Sequence, residues 1–140
     1  MMPHKAPIAS GPQKDNQSER SFYGLGIVPK ILDILERLKF SVPTPIQFKT
    51  IPLAIEGKDV IGIAQTGTGK THAFAIPMCQ RLAQKEGVGL VLAPTRELAI
   101  QIHEAFEWLA RPFGMNPACR IGGAPLEAQT PALRKEPRIV

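Results

Sequence analysis

The residues with the clearest capacity for chemistry are Ala64-Gln65-Thr66-Gly67-Thr68-Gly69-Lys70-Thr71. Two alternating glycines let the backbone curl until successive N–H groups point at one spot, which makes a nest for an anion. Lys70 has the reach and charge to meet the outer phosphates of a nucleoside triphosphate, and the Thr71 hydroxyl suits a position on Mg2+. The stretch departs from the general pattern G-x-x-x-x-G-K-[ST] at its first position, which here is Ala64. The plainer alternative is a glycine-rich turn that merely caps a helix. The setting favours phosphate: a short apolar run, Val60 to Ala64, leads in, and a helical pattern leads out, so the positive end of a helix faces the turn.

A second candidate lies upstream, in Lys39-Phe40-Ser41-Val42-Pro43-Thr44-Pro45-Ile46-Gln47. A glutamine amide accepts from the exocyclic amine of adenine while donating to the neighbouring ring nitrogen, a fit that guanine does not offer. Pro43 and Pro45 stiffen the segment that presents Gln47, and Phe40 offers a ring on which a base could stack. Taken alone, Pro-Thr-Pro would be only a helix-start signal. A third candidate pair lies downstream. Pro94-Thr95-Arg96 stands at a strand-to-helix junction, where backbone N–H groups and the Arg96 guanidinium can hold phosphate. Gly122-Gly123 is a place where bare backbone can approach a phosphodiester. The bland readings of these two are an exposed first helical turn and a simple turn.

The elements that would position these residues follow from periodicity. Apolar residues from Val28 to Leu38 fall at helical spacing, with Pro29 in the first turn where a missing N–H costs nothing. A second helix is expected from Pro45 to about Gly57, kinked or split at Pro52. Helices are also expected over Lys70 to about Gln84 and Arg96 to Ala110. Val60 to Ala64 and Gly89 to Ala93 have the continuous apolar character of strands buried on both faces. Met115 to Ile121 and Arg138 to Val140 are read as further strands. Alternating strands and helices imply an α/β fold, a mostly parallel sheet flanked by helices.

The sequence carries these motifs in one order, and that order resembles the DEAD-box ATP-dependent RNA helicases. Lys39 to Gln47 resembles the family's Q motif, which includes a lone upstream aromatic at the place of Phe22. Ala64 to Thr71 is similar to its A-x-T-G-x-G-K-T phosphate loop, alanine included. Pro94 to Ala99 is similar to motif Ia, and Gly122-Gly123 with Gln129 and Leu133 to its GG element. The family usually has glycine where this chain has Lys39. The resemblance implies an incomplete RecA-like P-loop domain over residues 21–140, with ATP and Mg2+ held by Ala64 to Thr71. It implies adenine contacts from Phe22, Phe40, Thr44 and Gln47. It also implies sequence-independent contacts to the RNA backbone from Pro94, Thr95, Arg96, Gly122 and Gly123. The family's D-E-A-D carboxylates and second lobe have no counterpart in the 140 residues. The chain alone is therefore expected to bind without hydrolysing or unwinding, to need the remainder of the helicase as a partner, and to leave strand edges unpaired. Two alternatives stay open, a small P-loop kinase or other NTPase and a non-catalytic module for adenine nucleotide or RNA.

Composition is compatible with this and less specific. The net charge is +5 with 17 Lys and Arg spread along the chain, which suits a polyanionic partner as well as a generally basic protein. Residues 1–20 are polar and rich in Pro, Gly and Ser, and are expected to form a disordered tail. Cys79 and Cys119 have no metal-like spacing and are expected to be buried thiols. His72 and His103 are assigned to helix surfaces, and Trp108 to core or interface packing. There is no signal-peptide pattern and no apolar run long enough to span a bilayer, so a cytoplasmic location and no membrane partner are expected.

Overall fold

The computed structural model describes residues 20–140, so the tail expected over residues 1–20 lies outside the described residues apart from Arg20. Five α-helices are present there: α1 (Pro29–Arg37), α2 (Pro45–Ile55), α3 (Lys70–Gln84), α4 (Arg96–Ala110) and α5 (Leu126–Arg134), with a 3-10 turn at Arg111–Phe113. The helix α3 is central and packs on α2 and α4. Its buried residues Ala75, Ile76 and Cys79 meet Ile31 and Leu35 of α1, Ile51 of α2, and Ile102 and Phe106 of α4 in one core. The rings of Phe74 and Phe106 lie 6.2 Å apart. Each fully buried aliphatic side chain contributes about 1.5–3 kcal/mol.

Local chemistry explains the helix ends. Thr44 and Gln47 form a capping box at the start of α2: Gln47 N donates to Thr44 Oγ1, and Thr44 N donates to Gln47 Oε1 at 3.0 Å. The helix α2 runs through Pro52 as one element rather than two shorter pieces, with the proline in its last turn. The helix α1 ends in a Schellman motif, with Lys39 N donating to Glu36 O at 2.9 Å and Phe40 N to Leu35 O at 2.8 Å. The helix α5 was not expected. It has two prolines at or within it and buries no residue.

The sheet expected from the sequence is not formed as strands among the described residues. Instead Gly89 and Pro117 each make an isolated parallel bridge to Ile139. Gly89 N donates to Arg138 O, Val91 N to Val140 O and Ala118 N to Ile139 O, at 2.8–2.9 Å. Residues 138–140 thus lie between 89–91 and 117–118. The run Val60 to Ala64 pairs with nothing described, and Ile61 and Ile63 are 93% and 91% exposed. A strand is a property of two segments; an apolar run without a backbone partner stays an unpaired extended stretch.

Long-range side-chain bonds fasten α3. Gln80, buried, accepts from Val28 N at 2.9 Å and donates to Gly26 O at 2.8 Å. Arg81 Nη1 donates to Ile55 O at 3.2 Å. Arg138 donates to Leu82 O at 2.8 Å and to Gly87 O at 2.6 Å, so a cation closes the carbonyl end of the helix. Trp108, expected in core or interface packing, is exposed and so lies outside the core.

Candidate nucleotide and nucleic-acid site

Gly69 ties the two upstream candidates together. It is the N-cap residue of α3 with φ 81°, in the left-handed region that glycine tolerates, and Gly67 has φ 78°. The Thr68 hydroxyl donates to Gln65 O within the same turn. The Gln47 amide Nε2 donates to Gly69 O at 3.1 Å, and a Cβ on Gly69 would run into that amide. Gln47 is only 4% exposed. Its Oε1 and Nε2 each spend one bond inside the chain, which leaves one N–H and one lone pair.

Lys70 and Thr71 open α3 beside this junction. Lys70 is exposed, and no ion pair or hydrogen bond engages it among the described residues. The turn therefore presents its charge outward, while α3 directs its N-terminal dipole to the same place. No group of three or more His, Cys, Asp or Glu that could hold a metal occurs among the described residues. The donors present, a threonine hydroxyl and open space at a phosphate turn, fit an Mg2+ carried in with phosphate oxygens and water rather than a protein cage.

Phe40 is 40% exposed, and its ring lies 4.9 Å from that of His72, at 54° between planes. His72, expected on a helix surface, is partly buried, and that burial lowers its pKa below the usual histidine range. Phe22 is a different case from Phe40. It is buried in the core and shares a hollow of ≈ 220 Å³ with Phe40, Tyr23 and Leu35. Little of its surface is open to solvent in this structure, at 4% exposure. Thr44 is occupied as the cap of α2.

The downstream candidates also converge. Thr95 caps α4, accepting from Leu98 N at 3.2 Å. Arg96 follows, exposed, with its guanidinium lying against Gly123, where an added Cβ would strike it. Gly123 has φ 79°. Pro94 is exposed at the same junction. Gln129 holds the glycine turn from behind: it accepts from Ile121 N at 3.0 Å and donates to Ile121 O and Ala124 O, both at 3.2 Å. Sequence reasoning missed this clamp, as it missed Gln80. The signal for Gln80 was a polar residue on the apolar face of α3.

A family model for the DEAD/DEAH box helicases matches residues 44–140. The chain belongs to the DEAD/DEAH box helicase family. Among its relatives, the ATP-dependent rRNA helicase RRP3 of Pyricularia oryzae is 50% identical over 131 residues, which are 92% of this chain and 24% of that protein. The same-named protein of Debaryomyces hansenii is 50% identical over 123 residues, 86% of this chain and 26% of that one. The helicase chain thus spans about a quarter of the length of these relatives. Its fold matches that of the RNA helicase Prp28 from Chaetomium thermophilum bound to ADP, with a TM-score of 0.76 and 40% identity, over 82% of this chain and 30% of that one. A DEAD box protein from Methanococcus jannaschii gives a TM-score of 0.78 at 36% identity, over 86% and 33%. These neighbours make the helicase chain an incomplete RecA-like domain.

Proposed function

We propose that this chain is the nucleotide-gripping part of an ATP-dependent RNA helicase. One observation carries the reading: the side chain best suited to adenine, Gln47, is bonded to the backbone of the turn best suited to phosphate, at Gly69. Its remaining N–H and lone pair are the donor and acceptor that an adenine edge requires. Phe40 supplies the face for stacking, with Phe22 and Thr44 holding the segment in shape. Residues Ala64 to Thr71 cradle the triphosphate, Lys70 meets its outer oxygens, and Thr71 ligates Mg2+. When bound, the ion neutralises phosphate charge.

Downstream, Pro94, Thr95, Arg96, Gly122 and Gly123 hold the RNA backbone. Contacts of this kind fix position without reading bases, so binding is sequence-independent and weakened by salt. The 140 residues hold no adjacent Asp-Glu pair. We assign water activation and strand separation to the portion that the relatives carry beyond the matched quarter. The same portion completes the parallel sheet, pairing the bare edges of Val60 to Ala64 and Leu90 to Leu92 that flank an open groove of ≈ 800 Å³.

The test is nucleotide binding by the intact protein. Lys70→Ala abolishes ATP binding, and Gln47→Ala removes the preference for ATP over GTP while triphosphate binding persists. A Gln47→Ala protein that still distinguished the two bases would refute the reading.

A further inference from the structure

We propose that His72 is a positioning residue for the purine, holding the Phe40 ring at a fixed station relative to the phosphate turn. The inference rests on the reading above that Phe40 and Gln47 receive the base.

The backbone of Phe40 is set by the Schellman motif that ends α1, but a backbone does not fix a ring. Phe40 is 40% exposed, so solvent leaves it room to turn. Phe22 and Leu35 line the hollow on its α1 side. On the α3 side, the ring contact recorded among the described residues is with His72, at a 4.9 Å centroid separation and a 54° tilt. That geometry lies within the favoured range for aromatic pairs. His72 directly follows Thr71 in the first turn of α3. Its ring therefore moves with the groups that hold phosphate, and through it the stacking face does too. No hydrogen bond or ion pair engages the imidazole among the described residues, so the phosphate turn does not depend on it for its own shape. Removing the ring frees Phe40 to rotate, and the base must then order it on binding.

Calorimetric titration of the intact protein with ATP and with inorganic tripolyphosphate separates the two halves of the ligand. His72→Ala is expected to weaken ATP about three- to tenfold and leave tripolyphosphate unchanged, while His72→Phe restores ATP. Equal weakening of both ligands would mean that the turn itself had been disturbed, and would overturn the proposal. So would a phenylalanine variant no better than the alanine one. If the unmodified protein prefers ATP to tripolyphosphate and His72→Ala leaves that preference intact, this inference alone fails. If the unmodified protein shows no such preference, the base reading fails and takes this inference with it.

Discussion

Gln47 and Gly69, in separate elements of the chain, are joined by a 3.1 Å hydrogen bond from a side-chain amide to a backbone carbonyl. The glycine is required twice, for its φ of 81° and for the space the amide occupies. Gly69→Ala is expected to lose about 1–2 kcal/mol to the left-handed backbone alone. It should also displace Gln47, so thermal melting and ATP affinity fall together. Unchanged ATP affinity would show that the junction is not part of the nucleotide site.

Lys39 makes the opposite prediction. It adopts φ 60° at the position after the C-cap of α1, where glycine is the usual occupant. Lys39→Gly is expected to stabilise the chain by about 1 kcal/mol, read as a higher denaturant midpoint at constant slope. A lower midpoint would mean that the lysine makes a compensating contact.

Gln129 closes the Gly122–Gly123 turn with three bonds to its flanks. Gln129→Leu leaves the Ile121 N–H and two carbonyls without that partner. Single-stranded RNA affinity in the intact protein should drop about tenfold, while ATP affinity measured without RNA stays constant. Equal loss of both would indicate general unfolding instead.

Arg120 carries a guanidinium whose three nitrogens are buried without a hydrogen-bond partner among the described residues, beside Ile102, Phe106 and Ile139. A charge held this way is costly. Arg120→Leu should raise the stability of the chain by about 1–3 kcal/mol in urea titration. A loss would reveal an anionic partner for the arginine.

Cys79 gives a pH signature. Burial pushes its thiol from 9.0 up to about 12. Between those values the unfolded chain has released the proton and the folded one has kept it, so stability falls as pH rises through that window. Cys79→Ala should flatten the decline between pH 9 and 11, as followed by urea midpoints. An unaltered slope would place the cause elsewhere.

The starts of α3 and α4 were legible because their signals are local: a glycine turn before Lys70, and Thr95 before Arg96. The Thr-x-x-Gln capping box was written in the sequence as well, though Gln47 drew attention for another reason. The helix α5 was obscured by Pro125 and Pro131 and by the lack of a buried face. The strands failed for a different reason. The apolar run at 60–64 says what the segment would bury and nothing about which backbone stands beside it. Contacts such as Arg96 on Gly123 and His72 on Phe40 join elements distant in sequence, and no periodicity encodes them.

The placement of residues 138–140 between two earlier segments has a kinetic cost. Arg138 reaches back 51 residues to Gly87, so the earlier neighbours wait, with their amides solvated, for a piece synthesised well after them. Such non-local closure slows folding. On the ribosome, the helical part around α3 can assemble before the extended segments pair, and until they do those segments are the aggregation-exposed part.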